Sequence, residues 1–385
     1  MRYFIITYGC QMNELDSERI AAGFEEEGYS SASRMEEADL IIINTCSVRQ
    51  KAEDKVYGLA NKVIESKRID EELKVILTGC MVGSAIGERR RIKLTELQRR
   101  LPWVDEFVTI EDLVVTPARW APPRRWTKSK EPALVAVMRG CDQFCSYCVV
   151  PFGRGPIRSR PAEEIIKEVE CLVDGGVRWV MLLGQSINDY NDISKIKDQK
   201  SKSASLASFG RASSKLKTEE RDCSFVGLLR KIHNISGLEK ISLLSFNPWN
   251  FSDDLIGTLA LPKFERYIHL PVQSGDDEIL RKMNRPYTVR EYKNLVKKIR
   301  RKITGVRIGT DAIVGFPGET EEQFQNTAKL FEELKFENAF IFLYSPRPGT
   351  AAATLYQDDV PLLEKKRRHK VLMRIWKKGQ ALQIA

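Results

Sequence analysis

The sequence is poor in histidine, with only His233, His269 and His369 among its 385 residues. None of them lies before residue 233, which excludes a histidine-based zinc or haem site from that part of the chain. Long apolar runs are lacking too. Leu40–Ile43 is typical of those present, whereas a helix that crosses a bilayer needs about 20 apolar residues. Because Met1 leads directly into a strand-like run without a signal peptide, we expect a cytoplasmic protein with no membrane partner.

Positive charge exceeds negative charge in this chain. It has 62 lysines and arginines against 52 aspartates and glutamates, a formal net charge of +10. Such an excess favours a polyanionic partner such as nucleic acid, although a merely basic soluble protein would also show it. Hydrophobic residues make up 42% of the sequence, so two globular domains are expected at this length.

Apolar, β-branched runs alternate with helix-like stretches near the N-terminus, which predicts an α/β domain built on a parallel sheet. We place this domain at residues 1–118 and a linker, rich in proline and basic residues, at 119–132. The strands are expected at Tyr3–Thr7, Leu40–Asn44, Val75–Thr78 and Val104–Ile110, and the helices at Glu14–Glu27, Gln50–Ser66 and Glu88–Arg100.

The first three of these strands are each followed by a cysteine: Cys10, Cys46 and Cys80. Ligands of open parallel sheets bind beyond the carboxyl ends of the strands, so we expect the three thiols to converge. Glycines before Cys10 and Cys80 allow the backbone to turn tightly toward a bulky ligand. Three thiolates suit an iron–sulfur cluster or a catalytic zinc ion, and an all-sulfur set favours the cluster. Three unrelated core cysteines are the alternative.

The alternation of strands and helices resumes after the linker, with six repeats at residues 133–365. Six are too few for a closed eight-stranded barrel, so we expect a partial β/α barrel. Residues 191–221, rich in lysine and serine, predict a disordered insertion, and residues 366–385 predict a basic C-terminal helix. The strands are expected at Ala133–Met138, Val177–Leu183, Lys240–Leu244, Arg266–Leu270, Val306–Val314 and Asn338–Tyr344, and the helices at Ala162–Asp174, Phe225–Ile235, Ser252–Ala260, Val289–Arg301 and Glu319–Leu334.

The loop after the first barrel strand carries the pattern C-x3-C-x2-C, formed by Cys141, Cys145 and Cys148. A short loop with this spacing can hold a 4Fe–4S cluster through three thiolates and leave one iron free. A zinc ion would need a fourth ligand at a matching spacing, and the next cysteine, Cys171, lies on a predicted helix. The loop therefore predicts an open iron–sulfur cluster.

This loop, with Tyr147 just before its last cysteine, resembles the signature of the radical S-adenosylmethionine (radical SAM) superfamily, which also uses a partial barrel. The N-terminal domain with its three cysteines resembles that of the methylthiotransferases. Nearly the whole chain is similar to the MiaB-type branch of that family, which modifies tRNA. The matching segments are Tyr8–Glu14 (YGCQMNE), Asn44–Arg49 (NTCSVR), Cys148–Gly155 (CVVPFGRG), His269–Gly275 (HLPVQSG), Ile313–Thr320 (IVGFPGET) and Tyr344–Thr350 (YSPRPGT).

The resemblance implies radical chemistry with two 4Fe–4S clusters, for which the six cysteines would be both the metal ligands and the catalytic groups. The barrel loop would hold the cluster that splits S-adenosylmethionine into a 5′-deoxyadenosyl radical. The N-terminal cysteines would hold an auxiliary cluster that carries or donates sulfur. The implied reaction adds a methylthio group to C2 of N6-isopentenyladenosine next to the anticodon. The implied partners of this monomeric enzyme are the tRNA anticodon stem-loop and an electron donor such as a flavodoxin or ferredoxin.

Polar residues at the barrel strand ends are expected to bind S-adenosylmethionine, with an ordinary structural role as the alternative for each. Asn247 departs from the family, which usually has a histidine before the following proline, so the contacts of this loop stay open. Cys171 and Cys223 match no motif of the family, and His269 is expected to be structural. The expected pocket residues are Tyr147, Gly184, Gln185, Ser245, Gln273 and Asp311.

Three alternatives to the tRNA prenyl-adenosine reaction stay open. Two are branches of the same family, one acting on threonylcarbamoyl-adenosine in tRNA and one on an aspartate of a ribosomal protein. The segments Gln11–Asn13 and Ser47–Arg49 argue against the ribosomal branch. From another class, the chain could be a zinc-stabilised, non-catalytic RNA-binding module. The resemblance further implies a β-rich RNA-binding domain after the basic helix, and the sequence up to Ala385 contains none.

Overall fold

The computed structural model describes residues 1–48, 50–113, 132–192 and 224–384. The strands of the N-terminal part are β1 (Arg2–Tyr8), β2 (Ser30–Ser31), β3 (Leu40–Thr45), β4 (Lys74–Gly79) and β5 (Glu106–Phe107). They form one sheet in the order β2-β1-β3-β4-β5, and all neighbouring strands run parallel. The predicted parallel α/β sheet is confirmed.

The helices of this part differ from the predicted ones in detail. The stretch Gln50–Ser66 is divided near Gly58, whose low helix propensity favours the break. A helix that begins at Cys80 was not predicted, because Gly83 weakens the helical signal of a short segment. Helix Glu88–Arg100 is shorter than predicted, and so is strand Val104–Ile110, where a helix begins at the last residue. The helices are α1 (Gln11–Glu26), α2 (Gln50–Tyr57), α3 (Ala60–Ile69), α4 (Cys80–Ile86), α5 (Leu94–Arg100) and α6 (Ile110–Leu113).

The second part contains the six predicted barrel strands and a short hairpin. Its strands are β6 (Ala133–Ala136), β7 (Met138–Arg139), β8 (Arg158–Ser159), β9 (Trp179–Leu183), β10 (Lys240–Leu243), β11 (Tyr267–His269), β12 (Arg307–Val314) and β13 (Asn338–Leu343). Parallel pairing gives the orders β6-β9-β10 and β11-β12-β13, and a bridge from Ile241 in β10 to Phe264, just before β11, joins them. Among the described residues β6 and β13 do not pair, so the barrel is partial.

The predicted barrel helices are all present, within one or two residues at each end. They and the shorter helices are α7 (Val150–Gly153), α8 (Ala162–Asp174), α9 (Phe225–His233), α10 (Asp253–Leu259), α11 (Asp277–Lys282), α12 (Val289–Lys302), α13 (Glu321–Leu334), α14 (Ala351–Leu355) and α15 (Leu362–Ile384). Ser252, Thr288 and Thr320 start three of them, each accepting a backbone N–H with its hydroxyl. Residues 119–131 of the predicted linker and 193–221 of the predicted insertion lie outside the described residues.

The first helix of the N-terminal part packs against the barrel. One face of β6 and β9 packs against α8 through residues such as Val135 and Val180. The opposite face, which includes Leu134 and Leu183, packs against Met12 of α1. Since α1 begins directly after Cys10, this contact places the N-terminal cysteines beside the start of the barrel.

The basic C-terminal helix is only partly a charged surface. Arg368 is 5% exposed and donates to Glu319, which is 3% exposed. Leu372 is fully buried, and the Trp376 indole donates to the carbonyl of Phe336 at 3.2 Å. This helix therefore packs against the barrel. The number of basic residues in its sequence overstates its exposed positive charge. Among the described helices, none has both the length and the apolar character needed to cross a bilayer.

Candidate active site

The three N-terminal cysteines lie at one edge of the sheet, as their positions after the strands predict. Cys10 follows β1, Cys46 follows β3 and Cys80 follows β4, and these three strands are neighbours in register. Cys10 is exposed, whereas the other two are buried. A hydrogen bond between the Cys46 and Cys80 thiols lowers the pKa of Cys80 and raises that of Cys46. The fold thus brings together residues that are far apart in sequence.

Two asparagines that the sequence analysis did not single out support these cysteines. Asn44 donates to the Asn13 carbonyl at 2.8 Å and accepts from the Asn13 amide at 2.9 Å, and both side chains are fully buried. A Cβ on Gly9 would lie 2.4 Å from the Asn13 side chain, and one on Gly79 would lie 2.5 Å from Asn44 Oδ1. The glycines beside the cysteines therefore make room for this pair. A polar residue inside the fully buried strand β3 was the available signal.

The second trio lies on the loop between β7 and α7. Cys141 is anchored by its N–H, which donates to the Gly155 carbonyl at 3.1 Å, and Gly140 before it has a φ of +76°. A Cβ on Gly140 would lie 2.0 Å from the Pro156 carbonyl oxygen, so glycine is required at this turn. The Cys148 N–H donates to the Cys145 carbonyl at 2.9 Å. The loop therefore curls into a compact turn with its three thiols on it.

Two thiols of each trio accept hydrogen bonds suited to thiolates. Backbone N–H groups of Val48 and Val150 donate to Cys46 and Cys148 at 3.3 and 3.4 Å. Arginine side chains donate to one cysteine of each trio: Arg285 to Cys145 at 3.4 Å and Arg154 to Cys80 at 3.1 Å. Donors aimed at sulfur are the environment that iron–sulfur clusters use to stabilise their thiolate ligands. The donors of these hydrogen bonds come from both parts of the chain.

Burial alone would keep two of the barrel-loop thiols protonated. It raises the pKa of Cys141 to about 12 and also raises the pKa of Cys148. A bound metal overcomes such a cost, because a coordinating thiol is deprotonated outright. Among the described residues no three side chains are gathered around a single-ion site. In a four-iron cluster each thiolate binds a separate iron, so the three thiols need not surround a single point. The hydrogen-bond donors described above fit such a cluster.

Of the six predicted pocket residues, Gly184, Gln185, Ser245 and Gln273 follow barrel strands, whereas Asp311 lies inside β12 and Tyr147 lies on the cysteine loop. Several of them already have structural partners. Gln185 accepts the Gly140 N–H at 2.6 Å and so holds the cysteine loop against β9. Asp311 pairs with His269 Nε2 at 2.9 Å, and the half-buried Tyr147 packs against the hydrophobic cluster that contains Phe316. Three of them shape the backbone: a Cβ on Gly184 would lie 2.7 Å from the Met138 side chain, and Ser245 and Gln273 have positive φ values of 65° and 70°.

In the loop that departs from the family, the Asn247 side chain is fully hydrogen-bonded. The Asn247 amide donates to Ser186 Oγ and to Asp189 Oδ1, both at 2.8 Å. Asp189 also accepts from Gln143 of the cysteine loop at 2.7 Å. Asn247 is 4% exposed, so this network ties the loops after β9 and β10 to the cysteine loop without the histidine that the family usually has.

The two cysteine sites share one interface between the parts of the chain. Helix α4, which begins with Cys80, packs backbone to backbone against α7, which follows Cys148. A Cβ on Gly83 would lie 2.3 Å from the Gly153 carbonyl oxygen. Only glycine allows this approach, so the contact depends on residue 83 having no side chain.

Gly83→Ala should therefore destabilise the protein, by about 1–3 kcal/mol in the free energy of unfolding, because the methyl group would collide with backbone. Thermal unfolding of the metal-free protein measures the effect. The matched control is Gly257→Ala in α10, where a Cβ would meet open space. That change should stabilise by about 0.5–1 kcal/mol, as alanine does in a helix interior. Equal effects of the two substitutions would contradict the interface described here.

Comparison with known proteins identifies the family to which this chain is related. The profile of the radical SAM superfamily matches residues 135–331, and that of a family described as uncharacterized protein family UPF0004 matches residues 2–99. A tRNA-2-methylthio-N6-dimethylallyladenosine synthase of Thermotoga petrophila is 40% identical over 98% of this chain and 82% of its own length. The synthase of the same name from Moorella thermoacetica is 39% identical over 96% of this chain and 81% of its own length. The chain therefore belongs to the radical SAM superfamily and, within it, to the family of these tRNA-2-methylthio-N6-dimethylallyladenosine synthases.

Solved structures of radical SAM enzymes share the fold. The methyltransferase TsrM of Kitasatospora setae has a TM-score of 0.57 at 16% identity and covers 91% of this chain and 77% of its own. The cobalamin-dependent enzyme OxsB has a TM-score of 0.53 at 9% identity and covers 98% of this chain and 56% of its own. Membership of the radical SAM superfamily implies a 4Fe–4S cluster and S-adenosylmethionine as cofactors.

Proposed function

We propose that this chain attaches a methylthio group to C2 of N6-isopentenyladenosine next to the anticodon of tRNA by radical SAM chemistry. The observation that carries the proposal is 40% identity over 98% of the chain to a relative named for the product of that reaction. The two cysteine trios at one interface support it, because the reaction needs both a radical source and a sulfur source. The net charge of +10 supports a nucleic-acid substrate.

In this proposal Cys141, Cys145 and Cys148 hold the radical-generating cluster. When bound, the cluster and S-adenosylmethionine supply a radical that opens an adenine ring C–H, which is inert to ordinary acid–base catalysis. The protein positions this group through the backbone of the cysteine loop, which Gln185 and Gln143 tie to the strand ends. The cofactor pocket comprises Tyr147, Gly184, Gln185, Ser245, Gln273 and Asp311.

We assign Cys10, Cys46 and Cys80 to a second 4Fe–4S cluster that carries or donates sulfur. The paired Asn13 and Asn44 fix the strand ends behind it, and the buried positions of two of the three cysteines keep water away from most of the site. The exposure of Cys10 leaves one side accessible to an incoming substrate. Two S-adenosylmethionine molecules are used per reaction, one for the methyl group and one for the radical.

The proposal also covers partners and organisation. The tRNA contacts the enzyme through its anticodon stem-loop, and an electron donor such as a flavodoxin or ferredoxin reduces the radical-generating cluster of a monomeric, cytoplasmic enzyme. The methylthiotransferase domain occupies residues 1–118 and the radical SAM core residues 133–365. The alternation of elements and the separate cores of the two parts support this division.

Mass spectrometry of tRNA nucleosides tests the function. In cells that lack their own enzyme, expression of this chain should produce 2-methylthio-N6-isopentenyladenosine, and Cys145→Ala should abolish it. Cys171→Ala is the matched control, because Cys171 is an exposed free cysteine on α8 outside both trios, and it should leave the product level unchanged. Appearance instead of 2-methylthio-threonylcarbamoyl-adenosine, or of methylthio-aspartate on a ribosomal protein, would transfer the chain to another branch.

A further inference from the structure

A single arginine connects the two cysteine sites. Arg154 follows α7, just after the barrel cysteines, yet its side chain reaches the N-terminal sheet. Its Nε donates to Cys80 Sγ at 3.1 Å, and its Nη1 forms an ion pair with Asp16 of α1. The Arg154 side chain is 3% exposed and that of Asp16 is 0% exposed. The barrel thus places a buried cation directly on one N-terminal cysteine.

The buried guanidinium keeps its charge. Burial opposes the charged form, but an arginine guanidinium stays protonated in proteins, and the buried carboxylate of Asp16 pairs with it here. Asp16 is held in turn, since its Oδ1 lies 3.9 Å from Arg139 Nη2. A charge fixed this firmly in a shielded site acts strongly on its neighbours, because little water screens it.

One donor of this guanidinium remains unused. Arg154 Nη2 is buried and has no hydrogen-bond partner among the described residues. An unpaired buried N–H is costly, which indicates that an acceptor belongs beside it. The same guanidinium already donates to Cys80 Sγ, so the acceptor is expected on the same side as that sulfur. The sulfides of a cluster bound to Cys80 are acceptors of this kind.

We propose that Arg154 is a positioning residue of the auxiliary cluster, donating through Nε to the Cys80 thiolate and through Nη2 to a cluster sulfide. This inference rests on the proposed function, because it needs an iron–sulfur cluster on the N-terminal cysteines. Hydrogen bonds and positive charge at the sulfurs stabilise the reduced cluster, which carries one more electron. Arg154 therefore raises the reduction potential of the auxiliary cluster, and it does so only when the barrel is docked on the sheet.

The test uses the full chain with Cys141, Cys145 and Cys148 replaced by alanine, so that the auxiliary cluster alone is present. In this background Arg154→Gln removes the positive charge. Arg154→Lys keeps the charge but lacks the planar guanidinium that can donate through two nitrogens at once. Arg158→Gln is the matched control, because it removes a 62% exposed charge from the same segment. Dithionite supplies the electron in a redox titration followed by electron paramagnetic resonance, and iron and sulfide are counted for each variant.

We expect Arg154→Gln to lower the ratio of reduced to oxidised cluster about tenfold at a fixed potential, which corresponds to about 59 mV for a one-electron couple. Arg154→Lys should lower it less, and Arg158→Gln should not change it. An unchanged potential in Arg154→Gln at full iron content overturns the inference. If Arg154→Gln does not fold, Arg154→Lys decides the matter, and an unchanged potential there overturns it equally. Absence of a cluster from the background variant itself contradicts the proposed auxiliary cluster, and the inference fails with it.

Discussion

Anaerobic reconstitution of this chain should give about eight irons and eight sulfides per molecule, and replacing Cys141, Cys145 and Cys148 together by alanine should remove half of each. The physical reason is that the two trios belong to separate structures. The first lies on the edge of the N-terminal sheet and the second on a loop held by β7 and β8. Loss of the barrel-loop thiols leaves the strands that position the other trio in place.

The count of iron and sulfide is made on protein prepared without oxygen, beside visible absorption spectra. Cys171→Ala serves as the control for removal of a cysteine as such, because Cys171 is exposed on α8 and forms part of neither trio. It should keep the full content. Stoichiometric zinc without sulfide would contradict both clusters and favour the non-catalytic RNA-binding module. Loss of all iron from the triple variant would contradict two independent sites.

The placement of the six cysteines was accessible from sequence because it depends on topology. A run such as Leu40–Asn44, fully apolar until its last residue, is recognisable as a buried parallel strand. Once three such strands are known, the cysteine after each must lie at the same edge of the sheet. The spacing in the barrel loop is local and needs no tertiary information at all.

Contacts between distant segments could not be predicted in this way. Arg154 and Cys80 are 74 residues apart, and nothing in either segment indicates the other. Gly83 is an ordinary glycine in sequence, and only the approach of Gly153 explains it. The basic run of α15 illustrates the converse error, because charge in sequence does not reveal that Arg368 points inward to Glu319.

Side-chain roles at the strand ends show the same limit. Gln185 was expected to face S-adenosylmethionine, and the structure gives it a backbone partner, Gly140, in the cysteine loop. This hydrogen bond gives Gln185 a structural role in positioning the cysteine loop. Asn247 likewise takes its place through Ser186 and Asp189, a pairing that no single motif contains.

The two trios should have separable roles, so that Cys145→Ala abolishes 5′-deoxyadenosine production whereas Cys46→Ala preserves it and stops sulfur insertion. Cys145 belongs to the barrel loop, where the adjacent Ser146 is held by the carbonyls of Lys282 and Met283. None of these supports comes from the N-terminal sheet. Cleavage of S-adenosylmethionine needs only the open cluster, whereas methylthio transfer also needs the sulfur site.

The measurement is liquid chromatography of 5′-deoxyadenosine from anaerobic reactions with dithionite, beside mass spectrometry of the tRNA. Cys46→Ala should give 5′-deoxyadenosine near the level of the unmodified chain and no methylthio product. The reason is that the described hydrogen bonds of the Cys46 thiol lie within the N-terminal part, with Cys80 and with the Val48 N–H. Cys145→Ala should give neither. If Cys46→Ala, folded and still containing the four irons of the barrel loop, makes no 5′-deoxyadenosine, the two sites act as one unit and the division of labour is wrong. That result would point to the shared interface, where α4 and α7 meet, as the part that transmits the loss.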